Sequence, residues 1–328
     1  MTRGKQQPPP PKKRTGRGER GRSSTEPDRS GGEPRGSVPA RKARKTFERT
    51  SNRDVRSAAE ASREEPSRHP SGSDRSSGRA TKTDDLGGDQ VEGFHSVREL
   101  LRAGKRSVRE VWVVERANGA AEIEALAFDA GIRVRRVSPD QLDDRARSEA
   151  PQGVLARTEP VTPARVDDLL AAPDAFLVAV DGVTDPGNLG AILRTAETAG
   201  VTGLVMPRHR AARLGPTALK AAAGAVEYLP IASVGGIPTF LDQARRAGVW
   251  TVGLDAGGTT TVNDLAVADG PVVIVLGAEG RGLSRLTGER CDVIASIPLH
   301  GRLESLNVSA AAAIALHAVA ARRRLRGG

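Results

Sequence analysis

VVIVLGAEGRG, Val272 to Gly282, sets five uninterrupted apolar residues ahead of a turn with three glycines in six positions. A strand that is apolar at every position is buried on both faces, which requires helices above and below it and mainly parallel neighbours. The same pattern recurs on either side. AFLVAVD (Ala175–Asp181), GLVMP (Gly203–Pro207), EYLPIA (Glu227–Ala232), VWTVGLD (Val249–Asp255) and VIASIPL (Val293–Leu299) read as strands. Helical patterns separate them over DPGNLGAILR (Asp185–Arg194), PTALKAAAG (Pro216–Gly224) and Ile237–Gly248, and SLNVSAAAAIALHA (Ser305–Ala318) follows as a last helix. Alternation of this kind predicts a doubly wound α/β domain over residues 174 to 325.

Upstream, FHSVRELLRAG (Phe94–Gly104) has helical spacing and stops at a glycine. VREVWVVE then reads as a strand, AAEIEALAFDAG as a helix ending at Gly131, IRVRRVS as a strand and QGVLARTEP as a returning strand. A second, smaller α/β module is therefore expected over 89 to 158, with a Pro- and Asp-containing linker at 159 to 173.

Residues 1 to 85 hold one aromatic residue, Phe47, no Leu and no Ile, among repeated Pro, Ser, Gly and Arg. Too little apolar surface exists there to offset chain entropy, so a disordered arm is expected over 1 to 88. The arm carries 22 Lys+Arg against 12 Asp+Glu within the first 85 residues, whereas the rest balances at 28 of each. The whole net charge of +10 thus sits in the arm, which favours polyanions through counterion release without reading sequence. The alternative is a solubilising extension with no partner. Many acids and no apolar face argue against a transit peptide. With no apolar run long enough to span a bilayer and no apolar stretch after Met1, no membrane is expected and the chain reads as cytoplasmic. A single cysteine, Cys291, excludes internal disulfides, and five scattered histidines lack metal-ligand spacing, so no metal is expected.

Three segments carry candidate chemistry. In the first, Asp185 fits a helix N-cap, Pro186 the first helical position and Gly200 the C-terminal cap. Leu189, Ile192, Leu193 and Ala196 share one helical face, and Gly187, Gly190 and Arg194 the opposite one, leaving bare backbone beside a guanidinium for a ribose or phosphate. Taken singly, Asn188 reads first as a local turn or cap residue, and Arg194 equally as a surface charge. In the second, Glu279 stands among Gly277, Gly280 and Gly282 at the carboxyl end of a strand, where open α/β sheets place ligands. Neither a dinucleotide nor a phosphate-loop glycine spacing is present. In the third, IPLHGRLESLNVS, Ser305 fits the N-cap of the last helix, and Asn307 has no capping role left to it.

Together and in this order, the three segments resemble the signature motifs of the SpoU/TrmH family of RNA ribose 2'-O-methyltransferases, within the SPOUT superfamily. The phrases GFHSVRELL and APQGVLAR resemble the N-terminal substrate-binding domain of the same family, which has a ribosomal-protein-like RNA-binding fold. The resemblance implies a deep trefoil knot, S-adenosylmethionine as cofactor, a pocket at a homodimer interface and ribosomal RNA as partner. Carried over residue by residue, Leu276, Gly277, Gly282, Ile297, Leu299 and Leu306 would hold the cofactor. Asn188, Arg194, Glu279, Ser305 and Asn307 would surround the methyl group and the ribose hydroxyl. Leu299-His300 departs from the family's usual methionine and small residue, a change of packing rather than of chemistry.

A guanidinium stays protonated in nearly all protein settings, so Arg194 is assigned to the RNA phosphate and the developing alkoxide, and Glu279 to accepting or orienting the proton through Ser305 or a water. The small module points to the subgroup acting on a 23S rRNA guanosine in the peptidyl-transferase region. An adenosine 2'-O-methyltransferase of the thiostrepton-resistance type shares both domains, and a noncatalytic RNA-binding assembly factor on the same fold is the alternative from another class.

Overall fold

A computed structural model describes residues 86 to 209 and 211 to 327; the basic arm expected over 1 to 85 lies outside the described residues. The last residues assigned to that arm are built into the fold, since Leu86 is buried and Gly87 bridges to Leu214.

The smaller module comprises β1 (Gln90–Glu92), α1 (Phe94–Ala103), β2 (Val108–Val114), α2 (Ala120–Asp129), β3 (Val134–Val137), α3 (Pro139–Asp143) and β4 (Val154–Thr158). Its sheet order is β1-β4-β2-β3, antiparallel except for the β2–β3 pair. Gly104 ends α1 in the left-handed region at φ 59°, where its N–H donates to Leu100 O. Val97, Leu100, Ile123 and Ala127 of the two long helices close one sheet face against Val111, Val113, Val154 and Ala156. The other face is covered by α3, which the sequence reading missed. Ser138 and Gln141 form a reciprocal capping box at its start. Leu142 then seals Trp112 and Leu155, and the Arg145 guanidinium lies 4.2 Å from the indole centroid. Glu92 is fully buried; its carboxylate accepts from Gln90 Nε2 at 2.6 Å, Arg147 N at 2.7 Å, Ser148 N at 3.0 Å and Ser148 Oγ.

The larger module follows as α4 (Val166–Ala171), β5 (Phe176–Val180), α5 (Pro186–Thr198), β6 (Gly203–Pro207), α6 (Pro216–Ala222), β7 (Ile231–Val234), α7 (Ile237–Arg246), β8 (Trp250–Leu254), β9 (Thr260–Thr261), β10 (Val272–Leu276), α8 (Arg285–Arg290), β11 (Val293–Ser296) and α9 (Val308–Gly327). All neighbours in the order β7-β6-β5-β10-β8-β11-β9 pair in parallel. Every residue of β5 and β10 is buried, as their unbroken apolar sequences require, at on the order of 1.5–3 kcal/mol for each large aliphatic side chain. The stretch 159 to 173 is not bare chain. It holds α4, whose Leu169 packs into the space left by Gly203.

Gly190 has a different role from the one expected. A Cβ there would lie 2.4 Å from Ala218 O and 2.5 Å from the Ala221 Cβ, so its bare backbone lets α6 pack on α5 and faces no ligand. Cys291 ends α8 against the core around Gly253; burial, with the Asp292 carboxylate adding to it, pushes the thiol up to about 12.

The two modules are joined through Arg106, whose side chain is 9% exposed against 3% for its partner Glu227. Arg106 binds both oxygens of that carboxylate, with Nε–Oε2 at 2.9 Å, and also donates to Gly88 O at 2.8 Å and Glu159 O at 3.1 Å. Ser96 Oγ adds a bond to Leu219 O at 3.0 Å, and Gly224, at φ 93°, admits the Glu99 side chain where a Cβ would clash at 2.3 Å. Removing one partner of such a pair strands a buried charge. Arg106→Ala should therefore lower unfolding free energy by about 3–5 kcal/mol in urea titration; a loss below about 1 kcal/mol would mean that the pair does not hold the modules together.

Candidate active site

Two helix starts bring the polar residues together. In α5 the N-cap Asp185 accepts from Asn188 N at 2.7 Å and Pro186 occupies the first turn, as its sequence suggests. The Asn188 side chain is thereby carried on the entrance turn. At the start of α9 the structure reverses the expected roles. Asn307 precedes the first helical residue and caps the helix, its Oδ1 accepting from Ser309 N at 2.8 Å and from Ser309 Oγ at 2.6 Å. Ser305 lies two residues before that cap and has no hydrogen-bond partner among the described residues. A cap uses only the oxygen of an amide, so the Asn307 nitrogen remains for a second contact.

That contact is with the loop after β10. Asn188 Nδ2 donates to Glu279 Oε2 at 3.1 Å, and Asn307 Nδ2 donates to Asn188 Oδ1 at 3.0 Å and to Glu279 Oε1 at 3.4 Å. The loop presents Glu279 because it is tightly folded on itself. Ala278 and Gly282 exchange both backbone bonds at 2.9 Å, and Gly280 and Gly282 adopt φ 74° and 65°. A Cβ on Gly277 would lie 2.2 Å from the Gly282 carbonyl carbon, so this glycine serves the loop's own closure.

Beside the cluster is a cavity of about 360 Å³. All six residues expected to hold a cofactor line it, namely Leu276, Gly277, Gly282, Ile297, Leu299 and Leu306, together with Glu279 and Ser305. Asn188 and Asn307 stand next to it through their bonds to Glu279. The sequence reading missed Asp255, Ala256 and Glu304 in the same wall. Asp255 had a visible signal: DAGG follows β8 at the same carboxyl edge of the sheet as GAEGRG follows β10. Its Oδ1 accepts from Gly257 N at 2.9 Å, and Gly258 lets this loop press on β11, where a Cβ would meet the Ala295 carbonyl carbon at 2.5 Å. Three carboxylates, Asp255, Glu279 and Glu304, with one guanidinium, Arg281, give an apolar cavity a rim suited to a positively charged ligand.

Arg194 is not in this cavity. Six residues after Asn188 on α5, it is exposed and lines a separate cleft of about 280 Å³ between the modules, with His95 and Arg98 of α1, Glu197, Thr198 and Tyr228. Among the described residues its side chain has no hydrogen-bond or ion-pair partner. Nearby, Tyr228 donates to Glu99 Oε2 at 2.8 Å; burial and this acceptor raise the phenol above its usual range. Among the described residues no group of His, Cys, Asp and Glu could hold a metal ion, and no helix is long and apolar enough to cross a membrane.

Comparison with known proteins agrees with this architecture. Residues 175–317 match the model of the SpoU rRNA Methylase family, and residues 90–164 match that of the RNA 2'-O ribose methyltransferase substrate-binding domain. An uncharacterized tRNA/rRNA methyltransferase of Mycobacterium ulcerans is 40% identical over 241 residues, spanning 71% of this chain and 77% of that protein. The 23S rRNA (guanosine-2'-O-)-methyltransferase RlmB of Pseudomonas aeruginosa is 36% identical over 245 residues, or 72% and 97%. Among solved structures, the SpoU methyltransferase AviRb from Streptomyces viridochromogenes, in complex with AdoMet, aligns with a TM-score of 0.62 at 28% identity, covering 72% of this chain and 90% of that one. The chain belongs to the SpoU family of RNA methyltransferases.

The two capping candidates separate by mutation. Asn307→Ala should cost about 1 kcal/mol as a lost N-cap, whereas Ser305→Ala should leave stability unchanged. Thermal unfolding checks this, and equal losses in both variants would contradict the assignment of the cap to Asn307.

Proposed function

We propose that the chain uses S-adenosylmethionine to methylate the ribose 2'-hydroxyl of a guanosine in 23S ribosomal RNA, in the peptidyl-transferase region, acting as a cytoplasmic homodimer. The observation that carries this reading is the contact of Asn188, Glu279 and Asn307 at the rim of the cavity, because it joins the candidate reacting groups of all three motifs. The cavity suits the cofactor: Leu276, Ile297, Leu299 and Leu306 offer apolar walls for the adenosine, and Asp255, Glu279 and Glu304 offer charge complementary to the sulfonium and ammonium groups. Bound there, S-adenosylmethionine supplies an electrophilic methyl group.

The chain's own residues must place the hydroxyl and take its proton. Glu279 receives amide hydrogen bonds on both oxygens, which fix its plane, yet each oxygen keeps a lone pair. It therefore accepts the ribose proton directly or through the unpartnered Ser305 hydroxyl in the same wall. Arg194, a guanidinium set in the cleft between the modules, holds the RNA backbone away from the reacting atoms. Of the two roles expected for this residue, the phosphate contact is kept and the alkoxide contact is not.

Further parts of the reading rest on separate observations. We read the small module as the ribosomal-protein-like RNA-binding domain and the basic arm as a polyanion tether. A trefoil-knotted path is supported by the interleaved order β5-β10-β8-β11 and by the close backbone approach at Gly258. A homodimer through α9 is supported by its outward face of Ala310, Ile314, Ala321 and Leu325 around His317, with Leu303 and Leu306 also exposed. The relation to the RlmB enzymes, spanning nearly their whole length, favours guanosine as the target.

Mapping 2'-O-methyl sites in ribosomal RNA after gene deletion should show loss of one 2'-O-methylguanosine in 23S rRNA. An adenosine site lost instead would redirect the substrate, and no lost site together with no calorimetric affinity for S-adenosylmethionine would favour a noncatalytic assembly factor. Arg194→Ala should lower RNA methylation about 100-fold with cofactor affinity nearly unchanged, and loss of cofactor binding would contradict its place in the cleft.

A further inference from the structure

An asparagine amide has ends of nearly equal size, one accepting and one donating, so its orientation is set by its partners. For Asn307 the deciding partner is Ser309. The Ser309 backbone N–H is one of the unpaired donors of the first turn of α9 and can only donate, so the group it meets at 2.8 Å must be Oδ1. Ser309 Oγ donates to the same oxygen at 2.6 Å. Ser309 is half-buried and is followed by four alanines, Ala310 to Ala313, so it is the sole polar side chain on that first turn.

The consequence propagates. With Oδ1 held at the helix, Asn307 Nδ2 faces Asn188 Oδ1 at 3.0 Å and Glu279 Oε1 at 3.4 Å. Asn188, accepting on its oxygen, has its own Nδ2 facing Glu279 Oε2 at 3.1 Å. A flipped Asn307 would instead set its oxygen against the Asn188 oxygen and a carboxylate oxygen, an arrangement of acceptors with no proton between them. The orientation of two amides and the plane of one carboxylate therefore rest on a residue that reaches neither the cavity nor the RNA cleft.

We propose that Ser309 is a positioning residue for methyl transfer: its two donors lock the Asn307 amide, and through it set the Asn188 amide and the Glu279 carboxylate beside the cavity. This rests on the methyltransferase reading above for its catalytic part, while the locking of the amide stands independently of it.

The test uses the full chain with Ser309→Val, which keeps the backbone N–H but removes the hydroxyl donor, and Ser309→Thr, which has the shape of the valine variant and restores the hydroxyl. Turnover on ribosomal RNA should fall about 5- to 10-fold in S309V, as expected for one lost hydrogen bond, while affinity for S-adenosylmethionine and the melting temperature stay near wild type. S309T should recover most of the rate. By NMR, the Asn307 side-chain NH2 signals, identified by their absence in Asn307→Asp, should shift and exchange faster in S309V and return in S309T. Unchanged NH2 signals in S309V would overturn the proposal, as would a wild-type rate, or an S309T variant as impaired as S309V. If the wild-type chain methylates no RNA, the proposed function falls, and the NH2 signals still decide whether Ser309 orients the amide.

Discussion

Two helix entrances meeting one carboxylate is the constraint on which the site depends. Asn188 belongs to the first turn of α5 and Asn307 caps α9, so the positive ends of two helices, 13 and 20 residues long, approach Glu279. A side chain on a glycine-rich loop would otherwise sample many positions. Here amide donors from both entrances hold it, and the loop is stiffened by the paired backbone bonds of Ala278 and Gly282. The meeting requires β10 to lie beside β5, so that the loops at their carboxyl ends are neighbours, and requires α9 to return across the sheet to α5. The strand order is thus what brings together residues 119 positions apart.

Docking of the smaller module adds a second fixed distance. Arg106 ties the ends of β1 and β4 to Glu227, beyond α6, and α6 in turn packs on α5 where Gly190 leaves room. The cleft holding Arg194 and His95 is bounded by these same elements. Anything held in that cleft is therefore held at a set distance from Glu279, by packing rather than by a tether.

Much of this was legible in the chain. Strands such as VVIVL and AFLVAV announced burial on both faces, Asp185 and Pro186 announced the start of α5, and Gly104 the stop of α1, because each rule is local. The wall residues Leu276, Ile297, Leu299 and Leu306 were found through motif resemblance. Gly190 was misread because a bare helical face serves a neighbouring helix as well as it serves a ligand, and only the position of Ala218 distinguishes the two. Asn307 was denied the cap because Ser305 is an equally good capping residue; the choice depends on where the loop from Ile297 lands. Arg194 shares a helix with Asn188, but helical rotation turns it toward the other module, whose position no local pattern records. Asp255 could have been found by treating every loop at the carboxyl edge alike.

We propose that the loops after β8, β10 and β11 enclose a cofactor next to the Asn188, Glu279 and Asn307 cluster. A crystal structure with S-adenosylhomocysteine tests it most directly. The adenosine should lie among Leu276, Ile297 and Leu306 with its sulfur on the side facing Glu279. Density for the ligand in the cleft around Arg194, or at any site without those three loops, would contradict the account.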